Sequence, residues 1–189
     1  MFSLSKPSAA ATASYLHQQR LSAYSYGNVG ATRTERRPEG YRNIDHNRIL
    51  LGHGAQTFER AKAALTTWKM FDIGWVQIAP SQSPIHEGVV VASVIRHLGF
   101  WSLNAARIVY AFDEPRRYGF AYGTLEDHSE CGEERFMIEW NHDDDSVWYD
   151  LYAFSRPRHT LTRIGYPLAR MLQRRFVHDS LQAMKRAIE

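Results

Sequence analysis

Residues 126–133, Glu126-Asp127-His128-Ser129-Glu130-Cys131-Gly132-Glu133, gather carboxylates, an imidazole and a thiol within eight positions. Zinc or another transition metal uses such donors. The spacing matches no known ligand pattern and Cys131 is the only cysteine, so a solvated loop between strands is expected and no metal is assigned. Nine histidines, at 17, 46, 53, 86, 97, 128, 142, 159 and 178, form no recognisable pair with a serine, a cysteine or a second histidine. His53 stands out because Gly52 and Gly54 flank it and would let backbone or ligand approach closely. A glycine-bracketed turn without function is the competing explanation. The segment Gly27 to Gly30 lacks the Lys-Ser/Thr that follows a phosphate-cradling loop.

A second set of charges sits inside strand-like text. Arg107 and Asp150 lie between apolar neighbours, and Glu134 and Arg135 stand near a strand start. A charge in a half-buried sheet must be paired or face water, since an unpaired buried ion costs several kcal/mol. In a hollow fold, Arg107, Glu134 and Asp150 could meet the polar head of a ligand. Structural ion pairs and outward-facing side chains are the alternative. The aromatic residues Tyr110, Phe120, Tyr122, Phe136, Trp148 and Tyr152 could form apolar pocket walls, with plain core as the alternative. The ten tyrosines favour a wet cavity, because a buried phenol needs a partner.

These side chains need elements to position them. Residues 24–54 are broken by Gly27, Gly30, Pro38, Gly40, Gly52 and Gly54, with Arg33, Arg36 and Arg37 between, and read as loops with short extended pieces. Over 57–70, Thr57 can cap and Phe58, Ala61, Leu65 and Trp68 share one helical face, predicting a helix. Strands are predicted around Trp75–Ile78 and over the β-branched run Val89–Ile95. Four more follow at Leu103–Phe112, Arg117–Thr124, Glu133–Trp140 and Val147–Ser155, joined by hairpin-sized loops, so they should pair antiparallel. Tyr118, Phe120 and Tyr122 alternate with Gly119, Ala121 and Gly123, giving one bulky face and one nearly bare. Beyond Gly165 and Pro167, which mark a kink or the helix start, Leu168, Met171, Leu172, Phe176, Leu181, Met184 and Ile188 form the apolar stripe of a long terminal helix. A helix, antiparallel strands and one long terminal helix make the helix-grip layout, an α+β fold whose curved sheet wraps the last helix around a cavity. A β-barrel with a threaded helix is the competing architecture.

At 189 residues and 44% hydrophobic composition the chain can bury a core. No stretch reaches the roughly 18 apolar residues of a membrane span. A lone cysteine fits a reducing, soluble compartment, and a cytoplasmic location is expected. The first 34 residues hold no Asp or Glu, which suits an organelle transit peptide or an uncharged tail. Residues 1–20 are taken as an N-terminal extension that could be mobile, and 21–189 as one α+β domain. Charge is uneven: 51–155 carry eight Lys/Arg against fifteen Asp/Glu, and 156–189 carry eight against two. Docking of a basic last helix on an acidic sheet explains that asymmetry. Because Lys and Arg do not cluster in runs, nucleic acid is not expected as a partner.

Several short motifs carry a family resemblance: Tyr26-Gly27-Asn28-Val29-Gly30-Ala31-Thr32, Gly52-His53-Gly54, Trp68-Lys69-Met70, Arg107-Ile108-Val109-Tyr110, Gly119-Phe120-Ala121-Tyr122-Gly123-Thr124-Leu125, Gly132-Glu133-Glu134-Arg135-Phe136 and Ala153-Phe154-Ser155-Arg156-Pro157. Occurring in this order over about residues 20–188, they resemble a family of uncharacterised proteins, domain of unknown function nineteen-ninety. The resemblance implies relatives without implying a reaction. More distantly, the layout is similar to the START-like superfamily of lipid- and steroid-binding helix-grip folds, an analogy of fold alone.

The expected function is binding of a hydrophobic or amphipathic small molecule between sheet and last helix, with ligand contacts from Arg107, Tyr110, Phe120, Tyr122, Glu134, Phe136, Trp148, Asp150 and Tyr152. No cofactor is expected and no catalytic residue is assigned; the oligomeric state is open, a dimer included. One alternative is a cyclase, isomerase or hydrolase using Glu134, Asp150 or His53 for proton transfer. Another is an interaction or nucleic-acid module on the arginine-bearing side of the last helix.

Overall fold

A computed structural model describes residues 1–34, 38–41, 43–97, 99–158 and 166–189. Its strands are β1 (Phe2–Ser3), β2 (Asn43–His53), β3 (Val76–Ala79), β4 (Val90–Arg96), β5 (Trp101–Glu114), β6 (Arg117–Thr124), β7 (Glu130–Trp140) and β8 (Ser146–Pro157). Its helices are α1 (Ala9–Gln19), α2 (Gly54–Thr66) and α3 (Tyr166–Ile188). The sheet is antiparallel throughout, in the order β2-β8-β7-β6-β5-β4-β3. The order does not close on itself as a barrel would. β1 joins the start of β5, with Phe2 opposite Ser102, where β6 has already ended.

The hairpin strands form where alternation and β-branching predict them. β2 is longer than the short extended pieces expected over 24–54; it offers polar residues on both faces, Asn43, Asp45 and Asn47 on one and His46 and Arg48 on the other, as an edge strand can. Thr57 does not cap α2. The helix begins after His53, Gly54 takes a positive φ of 82° and donates to Asp145 O at 2.9 Å, and the Thr57 hydroxyl bonds back to His53 O. At its far end Trp68 enters the left-handed region at φ 59° and its indole donates to Ser83 O, so the helix stops before residue 70. Phe58, Ala61, Leu65 and Trp68 are all buried, as their spacing requires. Gly165 lies outside the described residues, as do Arg36, Arg37 and His159.

Pairing register sorts the strand residues onto two faces. Opposite partners Ile108, Tyr122, Glu134, Ala153 and Asp45 lie on the concave side with α2 and α3; Arg107, Gly123, Glu133 and Phe154 lie on the convex side. The concave side is filled at one end by Phe120, Phe136, Ile138, Tyr149 and Leu151 against Phe58, Leu65 and Met184. At the other end the sheet presents Ser93, Ser102, Asn104, Thr124, Ala153 and Ser155, too short to reach the helix. α3 reflects that gradient. Met184 and Ile188 are buried, while Leu168 and Met171 remain 47% and 54% exposed. Small side chains opposite a straight helix leave a hollow.

The convex side is covered as well. Tyr15 and Leu16 of α1, capped by Ser8, pack on Ala92, Val94, Leu103 and Ala105. Tyr26 and Tyr41 pack on Cys131 and Phe154. A β-carbon at Gly123 would overlap the Tyr26 ring, and one at Gly132 would overlap the Phe154 carbonyl oxygen on the adjacent strand. Because a backbone atom cannot rotate away, Gly132→Ala is expected to lower stability by about 3 kcal/mol, read as a reduced urea midpoint with unchanged slope.

Candidate functional site

The hollow measures about 730 Å³ and lies between the concave sheet and the first half of α3. Apolar walls come from Phe71, Trp75, Val76, Ile95, Leu172 and Phe176. Its polar groups fall into two clusters. The first holds Glu134, which accepts from the Tyr122 hydroxyl at 2.8 Å. Glu130 stands near it and accepts from Gln173 Nε2 at 2.5 Å. Asp45 at the same end takes a two-pronged bond from Arg170, at 2.7 and 2.8 Å. Burial raises the Glu134 carboxyl to about 7, against the pull of its Tyr122 hydrogen bond. Burial also raises Glu130. Among the described residues lining the hollow there is no lysine or arginine.

The second cluster sits at the β4–β5 end. His97 Nε2 lies 2.8 Å from Ser102 Oγ, Asn104 Nδ2 donates to the same oxygen at 2.9 Å, and Ser129 Oγ donates to Asn104 Oδ1 at 3.1 Å. A histidine and a serine five residues apart do meet here, because the β4–β5 turn folds them face to face. Ile108, opposite Tyr122, is six residues from Ser102 along β5, about 20 Å at a strand's rise. Glu134 and Ser102 therefore lie toward different ends of the hollow, with Glu130, next to Ser129, between them.

The structure brings two of the nine residues expected to contact ligand to this hollow, Tyr122 and Glu134. Phe120 and Phe136 are on the concave side but in the filled half, stacked on each other at 5.3 Å. Arg107 is on the convex side, donating to Arg20 O and Ser22 O at 2.9 and 2.8 Å with Tyr24 against its guanidinium. Tyr110, Trp148, Asp150 and Tyr152 are convex too. Asp150 accepts from Arg135 at 2.8 Å and sits 2.7 Å from His46 Nε2. Tyr110 bonds Thr32 at 2.7 Å, and Trp148 stacks under Arg48. Alternation shows which residues share a face, not which face curves inward. His53 is exposed at the start of α2, away from the hollow.

The tyrosines satisfy themselves mostly inside protein: Tyr26 on Glu133, Tyr110 on Thr32, Tyr149 on Ser180. None of these three lines the hollow; the phenol that does is Tyr122. In the 126–133 segment, Asp127 accepts from Gln19, His128 Nδ1 from its neighbour Glu130 N, and Cys131 is packed among aromatic rings. Those donors point in different directions, and among the described residues no cluster suited to a metal ion is found. Asp45, Gln173, Ser102 and Asn104 belong to no motif of the sequence, and Glu130 and His97 stand out there only as members of a polar segment and of the scattered histidines. Their available signal was a row of small polar side chains at alternate positions, Ser93, Ser102, Asn104 and Thr124, where a buried strand face is normally apolar.

A curved antiparallel sheet gripping a terminal helix, with a hollow between them, defines an α+β protein of helix-grip architecture. The chain belongs to the family described as Domain of unknown function (DUF1990), which matches residues 25–183. A UPF0548 protein of Dictyostelium discoideum is 37% identical, covering 100% of this chain and 96% of the relative. One from Deinococcus radiodurans is 37% identical over 99% and 98% of the two chains. Among solved structures, a hypothetical protein from Helicobacter pylori superposes with a TM-score of 0.53 at 12% identity, over 89% of this chain and 95% of that one. A norcoclaurine synthase point mutant from Thalictrum flavum, in complex with a transition-state analogue, superposes at 0.52 with 10% identity, over 77% and 93%. At such identities the likeness is one of fold. No helix among the described residues is long and apolar enough to cross a membrane.

Proposed function

We propose that the protein binds a hydrophobic or amphipathic small molecule in the hollow between sheet and α3, with a hydrogen-bond-donating or cationic head at Glu134. The observation that supports this is a hollow of about 730 Å³ whose walls are mainly apolar and whose charged lining groups, among the described residues, are acidic. Its size falls in the range of small-molecule pockets. An ionised carboxylate accepts hydrogen bonds and repels anions, so an ammonium or a hydroxyl suits Glu134 better than a carboxylate or phosphate does. The Tyr122 hydroxyl donates to one oxygen and leaves lone pairs for the ligand.

Native mass spectrometry of freshly purified protein tests for a retained molecule, and displacement of a fluorescent apolar dye tests for binding. Dodecyltrimethylammonium keeps its charge at all pH values, so its affinity should follow ionisation of Glu134. Binding is expected to tighten several-fold from pH 6 to pH 8, and Glu134→Gln should remove that dependence. A clean apo mass with no dye or detergent binding at either pH would end this reading.

A further inference from the structure

In the second polar cluster, one backbone amide fixes which way the Asn104 side chain faces. The Ser129 N–H can only donate, and it faces an Asn104 side-chain atom 3.5 Å away, which is therefore the carbonyl Oδ1. The Asn104 amide nitrogen must then face Ser102 and donate to its Oγ, 2.9 Å away. Ser102 Oγ also lies 2.8 Å from His97 Nε2, and its hydroxyl proton can be given to that nitrogen in the tautomer that carries its proton on Nδ1. Stacking on Phe100, with centroids 4.5 Å apart at 17°, holds the His97 ring in this position. Burial lowers the imidazole pKa, which favours its neutral form. Ser102 and Asn104 are only 2% and 3% exposed, and both line the hollow.

We propose that Ser102 is a nucleophile and His97 its general base, an acyl-transfer site for esters of apolar acids lodged in the hollow. Ser102 Oγ bonds to the acyl carbon, its proton passes to His97 Nε2, and the carbonyl electron pair moves to oxygen. Collapse expels the alcohol, which takes the proton from His97. Water then adds to the acyl carbon with His97 accepting its proton. The second collapse releases the acid and returns a proton to Ser102. The Asn104 amide, donating to Ser102 Oγ at 2.9 Å, holds that oxygen beside His97. Val76, Ile95 and Phe100 line this end and suit an alkyl chain. This inference needs the hollow to admit small molecules, but it does not depend on Glu134 holding their head.

The test is incubation of the unmodified protein with an alkyl fluorophosphonate and a series of p-nitrophenyl esters, beside the dye-binding assay. A single phosphonyl adduct on Ser102, mapped by peptide mass spectrometry, is expected, with faster ester cleavage for longer acyl chains. Labelling should rise with pH as His97 loses its proton. Ser102→Ala should abolish both signals, and His97→Gln should slow labelling by about 100-fold or more. Dye binding without an adduct on Ser102 overturns this site and leaves the binding function standing; failure of both overturns both. Undiminished hydrolysis by Ser102→Ala also overturns it, and the wild-type adduct decides the matter even where a variant does not fold.

Discussion

Glu133→Ala is expected to lower the unfolding free energy by about 3–5 kcal/mol, in the range of a broken buried charge contact. The carboxyl group is 2% exposed and accepts from Tyr26 Oη and Gly30 N at 2.7 Å, from Thr32 N at 2.9 Å, and from the Thr32 hydroxyl. Removing it strands these donors beneath the loop, each at about 1–3 kcal/mol if left unsatisfied. Thr32 also accepts from Arg135 through its carbonyl, and Arg135 bonds Asp150, so the damage would spread along the convex face. Urea unfolding measures the loss, and faster proteolysis within residues 24–34 would locate it. A change below about 1 kcal/mol would mean the loop does not depend on this carboxyl.

The second large effect concerns Glu134 and has the opposite sign. Its carboxyl is ordinary in the unfolded chain, near 4.5, and is raised to about 7 by burial in the folded one. Between those values the unfolded state has given up the proton while the folded state keeps it. Stability from this group is therefore full below about pH 4.5, falls as pH rises through 7, and levels off above. The difference corresponds to about 3 kcal/mol. Glu134→Gln should not pay that penalty, so its stability relative to wild type should improve by about 3 kcal/mol between pH 4.5 and pH 8. Taking the difference between the two proteins removes the opposing contributions of Asp144 and Asp179, while Glu130, also raised, is coupled to Glu134 and contributes to the same difference. Urea midpoints at the two pH values measure it. A pH-independent difference would show that Glu134 titrates normally. A cavity that keeps a destabilising carboxyl fits a group retained for binding.

The quoted motifs now have separate physical reasons. Tyr26 to Thr32 wraps onto Glu133, and Gly123 and Gly132 leave room for the Tyr26 ring and for the neighbouring backbone. Gly52-His53-Gly54 turns β2 into α2, and Trp68 ends that helix. Arg107 clamps the chain after α1. Most of the recognisable text is thus architectural and lies on the convex side. Tyr122 and Glu134 of the candidate site fall within those motifs, whereas its serines, asparagine, glutamine and Glu130 carry no local signature.

Locally encoded periods are what the amino-acid order determined: two-residue alternation over β4 to β8, helical spacing over residues 57–68 and 168–188, and short loops that force antiparallel neighbours. These depend on adjacent residues, so the α+β class and the gripping helix could be read directly. Only the tertiary structure decided which side of the sheet curves inward. That choice sent Arg107, Tyr110, Trp148, Asp150 and Tyr152 outward and turned Tyr122, Glu134, Ser102 and Asn104 toward the helix. Curvature is set by packing on both faces at once, by α1 and the Tyr26 loop outside and α2 and α3 inside, through contacts between residues roughly 100 positions apart, such as Tyr26 and Glu133.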